Sequence, residues 1–266
     1  MNRRVKKINF GRGERGNIRV WRYIDFSRFV SLIENKSIHF SDVYAFEDMY
    51  DGIFNCLNED DHYSIQTNGK IVPIEAPPTG SINAENSDRF KELIRLLHQI
   101  ILRATGVSCW RLNDHESYAM WRIFVRADEG LAIESTVDKL TGSVSAEEYH
   151  LIIGKVRYID YATEKIPITN LMNAFFYKNK YYEHEKELRL ICYRIDGDSS
   201  DSVAVPNYRP LPAGGLDLQV DVSKLINAIY ISPYAPRWFG GLVERMAQRY
   251  GLDVPIYSSK IELRRP

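Results

Sequence analysis

The chain has 266 residues, 35 of them basic and 35 acidic, with 44% hydrophobic and 26% charged side chains. That length and apolar content suit one large domain or two small ones with a sizeable core, and zero net charge gives no broad pull towards nucleic acid or an anionic membrane. No apolar run is long enough to span a bilayer, and Cys56, Cys109 and Cys192 are too few and too far apart for a disulfide framework or a zinc site, so a reducing, cytoplasmic setting is expected.

Residues 1–16 are basic and glycine-bearing and are expected to be flexible; no apolar run follows them, as a signal peptide or anchor would require. Asn17–Ile24 reads as a strand, with Ile18, Val20 and Arg22 on one face and Arg19, Trp21 and Tyr23 on the other. A helix follows, capped by Asp25 or Ser27 and striped by Phe29, Leu32 and Ile33, and Ile38–Ser41 is a short second strand. Residues 42–86 read as a long acidic loop in which Pro73, Pro77, Pro78 and Gly80 interrupt regular structure; Asp48, Asp51, Glu59, Asp60 and Asp61 lack the spacing of a calcium loop and read as solvated.

Ser87 or Asp88 opens the clearest helix, through Leu102, within which His98 is expected to be satisfied or exposed. Val107–Leu112 is strand-like, Tyr118–Val125 helical, and Leu131–Ser135 a strand. A longer strand lies within Tyr149–Tyr161, and a helix at about Thr169–Tyr177 leads into Lys178–Ile191. A polar loop at 196–215 precedes a strand at Leu216–Val220, a helical turn at Val222–Ile226, a buried strand at Ala228–Ser232, a helix at Pro236–Tyr250 and a last strand at Val254–Ser258. Helices and strands mix irregularly, without repeat or linker. The expectation is one α+β domain over 17–266, with a mixed or antiparallel sheet core and flanking helices.

Most chemical signatures are missing. There is no phosphate loop, no His-Glu-x-x-His, no paired-cysteine metal pattern and no serine-hydrolase elbow, and the glycines at 11–16 precede the first strand where a dinucleotide loop would follow it. The densest constellation is Lys178-Asn-Lys-Tyr-Tyr-Glu-His-Glu-Lys-Glu-Leu-Arg-Leu-Ile191. Leu188, Leu190 and Cys192 alternate as an apolar strand face, and the same period sends Glu185, Glu187 and Arg189 to the opposite side. A solvated face held by a Glu–Arg pair is the bland alternative.

Several short motifs occur in a familiar order. Trp21-Arg-Tyr23, the helix ending in Asn35-Lys-Ser-Ile-His-Phe-Ser41, Phe46-Glu-Asp48, Val107-Ser-Cys-Trp110, Ala119-Met-Trp121, Gly130-Leu-Ala-Ile133, and Lys178 with Tyr182, Glu185, Glu187 and Arg189 together resemble the bacterial DUF2971 family across roughly residues 20–260. One departure is Glu47-Asp-Met-Tyr50 where that family carries Asn-Asp-Pro. Its layout is similar to ADP-ribosyltransferase-like folds. That similarity implies NAD as substrate and no metal, with Arg22 or Tyr23, Ser108 and Glu187 at the site.

By this resemblance Glu187 would stabilise an oxocarbenium-like ribose and Glu185 would position or deprotonate an acceptor. Arg22 or Arg189 would meet the pyrophosphate, Tyr23, Tyr182 or Trp121 would stack on nicotinamide, and Lys178 would complete the site. Arg22 and Tyr23 point to opposite strand faces, and for Trp121, on an apolar helical face, core packing is the favoured reading. The implied function is ADP-ribose transfer from NAD or NAD hydrolysis, with a nucleic-acid or protein acceptor, in a toxin or antiphage role. A non-catalytic nucleotide or nucleic-acid binding module and a metal-free nuclease or other hydrolase are the alternatives.

Overall fold

Strands gather into one ten-stranded mixed sheet in the computed structural model, which describes residues 5–11, 17–48, 50–54, 63–67, 70–74, 84–125, 128–167, 170–196 and 207–262, with backbone alone for 63–67, 70–74 and 84–92. In chain order the elements are β1 (Lys6–Ile8), β2 (Arg19–Asp25), α1 (Phe26–Asn35), β3 (Ser37–Asp42), β4 (Tyr63–Thr67), β5 (Lys70–Ile74), α2 (Ala84–Ala104) and β6 (Thr105–Leu112). There follow α3 (Tyr118–Phe124), β7 (Gly130–Thr136), α4 (Val137–Ser143), β8 (His150–Lys155), β9 (Arg157–Ile159), β10 (Tyr177–Asn179) and β11 (Glu187–Tyr193). The chain closes with β12 (Leu216–Gln219), α5 (Val222–Leu225), β13 (Ala228–Ile231), α6 (Arg237–Arg249) and β14 (Ile256–Ser258). The expected α+β class, mixed sheet and flanking helices are present.

The main path runs β1-β8-β11-β6-β2-β7-β13-β14, with β12 on β3 and β3 on β6. The β1–β8 and β13–β14 pairs are parallel and the other pairs of this sheet antiparallel. β6 is shared along one edge: β2 registers against Leu112 and Arg111, and β3 against Val107 and Gly106. Between those contacts the sheet divides.

Opposed residues of a pair lie on the same face, so register assigns each side chain a side. Leu188, Leu190 and Cys192 share a face with Trp110, Val20 and Ile133, where α1 and α6 supply Phe29, Leu32, Phe239 and Val243 to the largest core cluster. Complete burial of Leu188 and Leu190 stabilises by about 1.5–3 kcal/mol each. The other face holds two separate apolar clusters. One joins Ile191, Val107 and Ile152 to Ile101 and Leu102 of α2 and to Phe175 and Phe176; the other joins Trp21, Tyr23 and Ala132 to Met120 and Trp121 of α3. Arg189 and Glu187 of β11 and Cys109 and Arg111 of β6 lie between them.

Several elements differ from expectation for local reasons. The strand within Tyr149–Tyr161 is two: β8 stays in the sheet, while β9 leaves after Val156 and pairs in parallel with β10. The helix placed at Thr169–Tyr177 is a 3-10 turn at Leu171–Phe176, started by Asn170 Oδ1 accepting from Met172 N at 2.8 Å. It is seated by Gly154 of β8, where a Cβ would lie 2.5 Å from the Phe176 ring. The 42–86 loop contains the antiparallel hairpin β4–β5, with Pro73 inside β5; Glu59, Asp60, Asp61 and Pro77–Gly80 fall outside the described residues. Lys6–Ile8, inside the segment expected to be flexible, pairs with Ile152–Gly154.

His98, expected to be satisfied or exposed, is buried at 7% exposure; neither ring nitrogen reaches good hydrogen-bond geometry, and the Gly52 backbone is a weak partner at most. Burial lowers its pKa to about 4. Among the described residues no helix is long and apolar enough to cross a membrane.

Candidate functional site

Arg189 is fully enclosed, and each of its five N–H donors is used. Nε and Nη2 donate to Glu187 Oε1 and Oε2 at 3.0 and 2.9 Å, and Nη1 and Nη2 donate to Asp51 Oδ1 and Oδ2 at 2.5 and 2.6 Å. The fifth bond runs from Nη1 to the Phe175 carbonyl at 2.9 Å, and the Phe46 ring lies 5.5 Å from the guanidinium. Two bidentate carboxylates on one planar fork are strong, directional pairs. They pin Asp51 to β11. Opposing charges hold the Arg189 pKa well above its usual value even though burial, the largest single influence, opposes them.

Glu187, 5% exposed, stands beside a second cation. Lys178 Nζ lies 3.6 Å from Glu187 Oε2, 2.6 Å from Glu185 Oε2 and 3.8 Å from Asp51 Oδ2, with the Tyr182 ring 4.7 Å away. Glu185 reaches this point from the end of the 3-10 turn Lys180–Glu185. Lys186, in left-handed backbone at φ 44°, separates it from β11, so the strand pleat that was expected to carry Glu185 does not do so. The Tyr158 hydroxyl accepts from Glu187 N at 2.7 Å, and the Cys109 thiol stands beside the Glu187 carboxylate.

The two glutamates are driven apart. Burial alone would raise the Glu187 carboxyl, but Arg189 and Lys178 outweigh it and hold its pKa below the usual value. At Glu185 burial dominates, and Lys178 only partly offsets it, so its pKa lies above the usual value. Burial also raises the Cys109 thiol well above its ordinary range and keeps it protonated. Carboxylates separated in this way suit different acid–base roles.

Compared with protein-family models, curated proteins and solved structures, the chain matches none. The assignment of chemistry therefore rests on the residues themselves.

Of the residues singled out by sequence, Lys178, Tyr182, Glu185, Glu187 and Arg189 come together, and Arg22 and Ser108 do not join them. Arg22 opposes Ile133 and Ser108 opposes Leu190, which puts both on the main-core face, opposite Glu187. There Arg22 Nη1 donates to Ser108 Oγ at 2.9 Å across the division in the sheet, and its guanidinium lies 5.6 Å from the Trp110 ring. Burial lowers the Arg22 pKa to about 10. Tyr23 does share the Glu187 face, but its hydroxyl accepts from Ser117 N at 2.7 Å. The Trp121 ring packs edge-on against Tyr23 at 4.9 Å, and its Nε1 donates to Glu116 at 3.0 Å, so both rings belong to the core under α3. Among the described residues no group of three or more His, Cys, Asp or Glu side chains could hold a metal ion.

Sequence reasoning missed Asp51, Cys109, Tyr158 and Arg111. Asp51 lay in a stretch read as solvated acid, and its partner is 138 residues away. Cys109 and Arg111 share one face of β6, on a segment read from the sequence only as strand-like. Their relation to Glu187 needed the β6–β11 register, in which Arg111 opposes Glu187.

Proposed function

We propose that the chain cleaves the bond between nicotinamide and ribose in NAD and passes ADP-ribose to an acceptor or to water. The supporting observation is the clamp formed by Lys178, whose ammonium is within 4 Å of two glutamates, one enclosed and one nearer solvent: the Glu187 side chain is 6% exposed and that of Glu185 13%. Lys178, Tyr182, Glu185, Glu187 and Arg189, which carry the resemblance to the DUF2971 family, are gathered in this clamp, whereas Arg22 and Ser108, which the ADP-ribosyltransferase-like layout would add to it, lie on the opposite face.

In this mechanism the C1′–N bond breaks and its electron pair leaves with nicotinamide, which departs neutral. Glu187, ionised and immobilised by Arg189, faces the positive charge that develops on the ribose, where a preorganised carboxylate is most effective. An acceptor O–H attacks C1′ and its proton passes to Glu185, a stronger base than an ordinary glutamate. Tyr182 supplies an aromatic surface beside the ammonium. Arg189 holds Glu187 and takes no part in binding phosphate, and no step uses Arg22 or Ser108. A cytoplasmic effector that modifies nucleic acid or protein is a setting consistent with this chemistry.

A second reading is favoured by one fact: saturation of all five Arg189 donors also suits a rigid, non-catalytic nucleotide-binding module. Nicotinamide release separates the two. Wild type should release nicotinamide from labelled NAD, and Glu187→Gln should be slower by about 10²–10³-fold. Equal rates, or no release by wild type, would defeat the glycosidic reading.

A further inference from the structure

We infer that the β4–β5 hairpin docks its apolar face on the exposed stripe of α2, an intramolecular contact that fixes the chain beyond Asp51. The inference is independent of the reaction proposed above.

α2 carries more apolar surface than the sheet covers. Ile94, His98, Ile101 and Leu102 are buried, whereas Leu93, Leu96 and Ile100 are 48%, 53% and 41% exposed. Positions i, i+3 and i+7 fall on one side of a helix, so these three form a stripe about 10 Å long. Single exposed leucines are ordinary. A row at this spacing is the pattern by which a helix takes a partner.

The hairpin has the complementary need. Its register opposes Tyr63 to Ile74 and Ile65 to Val72, which puts four apolar residues on one face, with Ser64, Gln66, Ile71 and Pro73 on the other. Asn68-Gly69 joins the strands, a dipeptide favoured in two-residue hairpin loops. A two-stranded hairpin alone is marginal in water and needs a surface to pack against. The apolar patch measures about 7 Å along the strands and 5 Å across them, which fits within the α2 stripe.

The chain delivers one to the other. Ahead of the hairpin the Phe54 ring lies 5.0 Å from the His98 ring of α2. Nine positions separate Phe54 from Tyr63, and α2 itself begins ten positions after Ile74. Tethers of that length reach up to about 30 Å and hold a partner at an effective concentration on the order of millimolar. A second copy lacks that advantage, and three half-exposed side chains fall well short of the roughly 800 Å² per partner that a stable dimer buries. Docking gives the chain a second anchor after the Asp51–Arg189 pair.

Hydrogen exchange followed by mass spectrometry on the full chain tests this. In wild type the amides of 63–74 should exchange at least about 10-fold more slowly than in a synthetic peptide of the same residues. Leu96→Asp, a change at an exposed position, should remove that protection and leave Glu187–Tyr193 protected as in wild type. Ile65→Cys with Leu96→Cys, in a Cys56→Ser chain treated with a short bifunctional maleimide, should link within one chain. This second variant reads the contact without placing a charge on the stripe, should Leu96→Asp unsettle the fold. Wild-type 63–74 exchanging like the peptide, protection unchanged by Leu96→Asp, or links formed only between chains overturns the inference, the last in favour of a second copy.

Discussion

Replacing Asp51 by Asn tests whether the ion-pair network holds the molecule together. Arg189 is 0% exposed and Asp51 4%, and two bonds of 2.5 and 2.6 Å join them. Asn keeps one acceptor for the guanidinium but turns an N–H₂ towards the other N–H, so one buried donor is lost to a donor–donor contact. Breaking a buried pair from one side costs about 3–5 kcal/mol. With about 2.1 cal/mol/K of unfolding entropy per residue, a chain of 266 residues should lose about 5–9 °C in Tm. Thermal unfolding followed by circular dichroism reads this directly. The double variant Asp51→Leu/Arg189→Met, which removes charge from both sides, should be less destabilised than the two single changes added together. A Tm for Asp51→Asn within about 2 °C of wild type, or strict additivity in the double variant, would refute the reasoning.

Two further outcomes concern regions outside the pair of glutamates. His98 is held neutral, with its folded pKa near 4 below the ordinary 6.5, so its contribution is fully present above about pH 6.5 and is lost as pH falls towards 4. The amount is roughly 3 kcal/mol, and urea unfolding of His98→Leu against wild type at pH 7 and pH 4.5 should show the variant losing less on acidification. Glu116, 8% exposed, accepts from Trp121 Nε1, Ser259 Oγ and Lys260 N; Glu116→Ala should cost about 2–4 kcal/mol and make the segment after 258 susceptible to limited proteolysis, which an unchanged digestion pattern would contradict.

Alternation in the sequence carried most of the sheet. Leu188, Leu190 and Cys192 are buried on one face and Glu187 and Arg189 lie on the other because a strand has no other choice. Alternation stops at the strand end, however, and Glu185 arrives by way of a 3-10 turn and a left-handed Lys186. Period two is also silent about which strands become neighbours. It could not reveal that Arg22 and Ser108 meet on the face away from Glu187, nor that Asp51 crosses 138 positions to close the fork of Arg189. The division of the sheet at β6, which sets both relations, depends on long-range register between segments whose local patterns are alike.

The central claim is that Glu187 and Glu185 act in opposite capacities on one glycosidic bond, and the pH dependence of kcat/KM for nicotinamide release tests it most directly. Both carboxylates must be ionised. The raised pKa of Glu185 and the lowered pKa of Glu187 therefore place the acid limb of the wild-type profile above the ordinary glutamate value. Glu185→Gln should be slower by about 10²–10⁴-fold, and its remaining acid limb should move below the ordinary value, where Glu187 titrates. A Glu185→Gln enzyme that keeps the wild-type rate, or keeps the wild-type acid limb, contradicts the account.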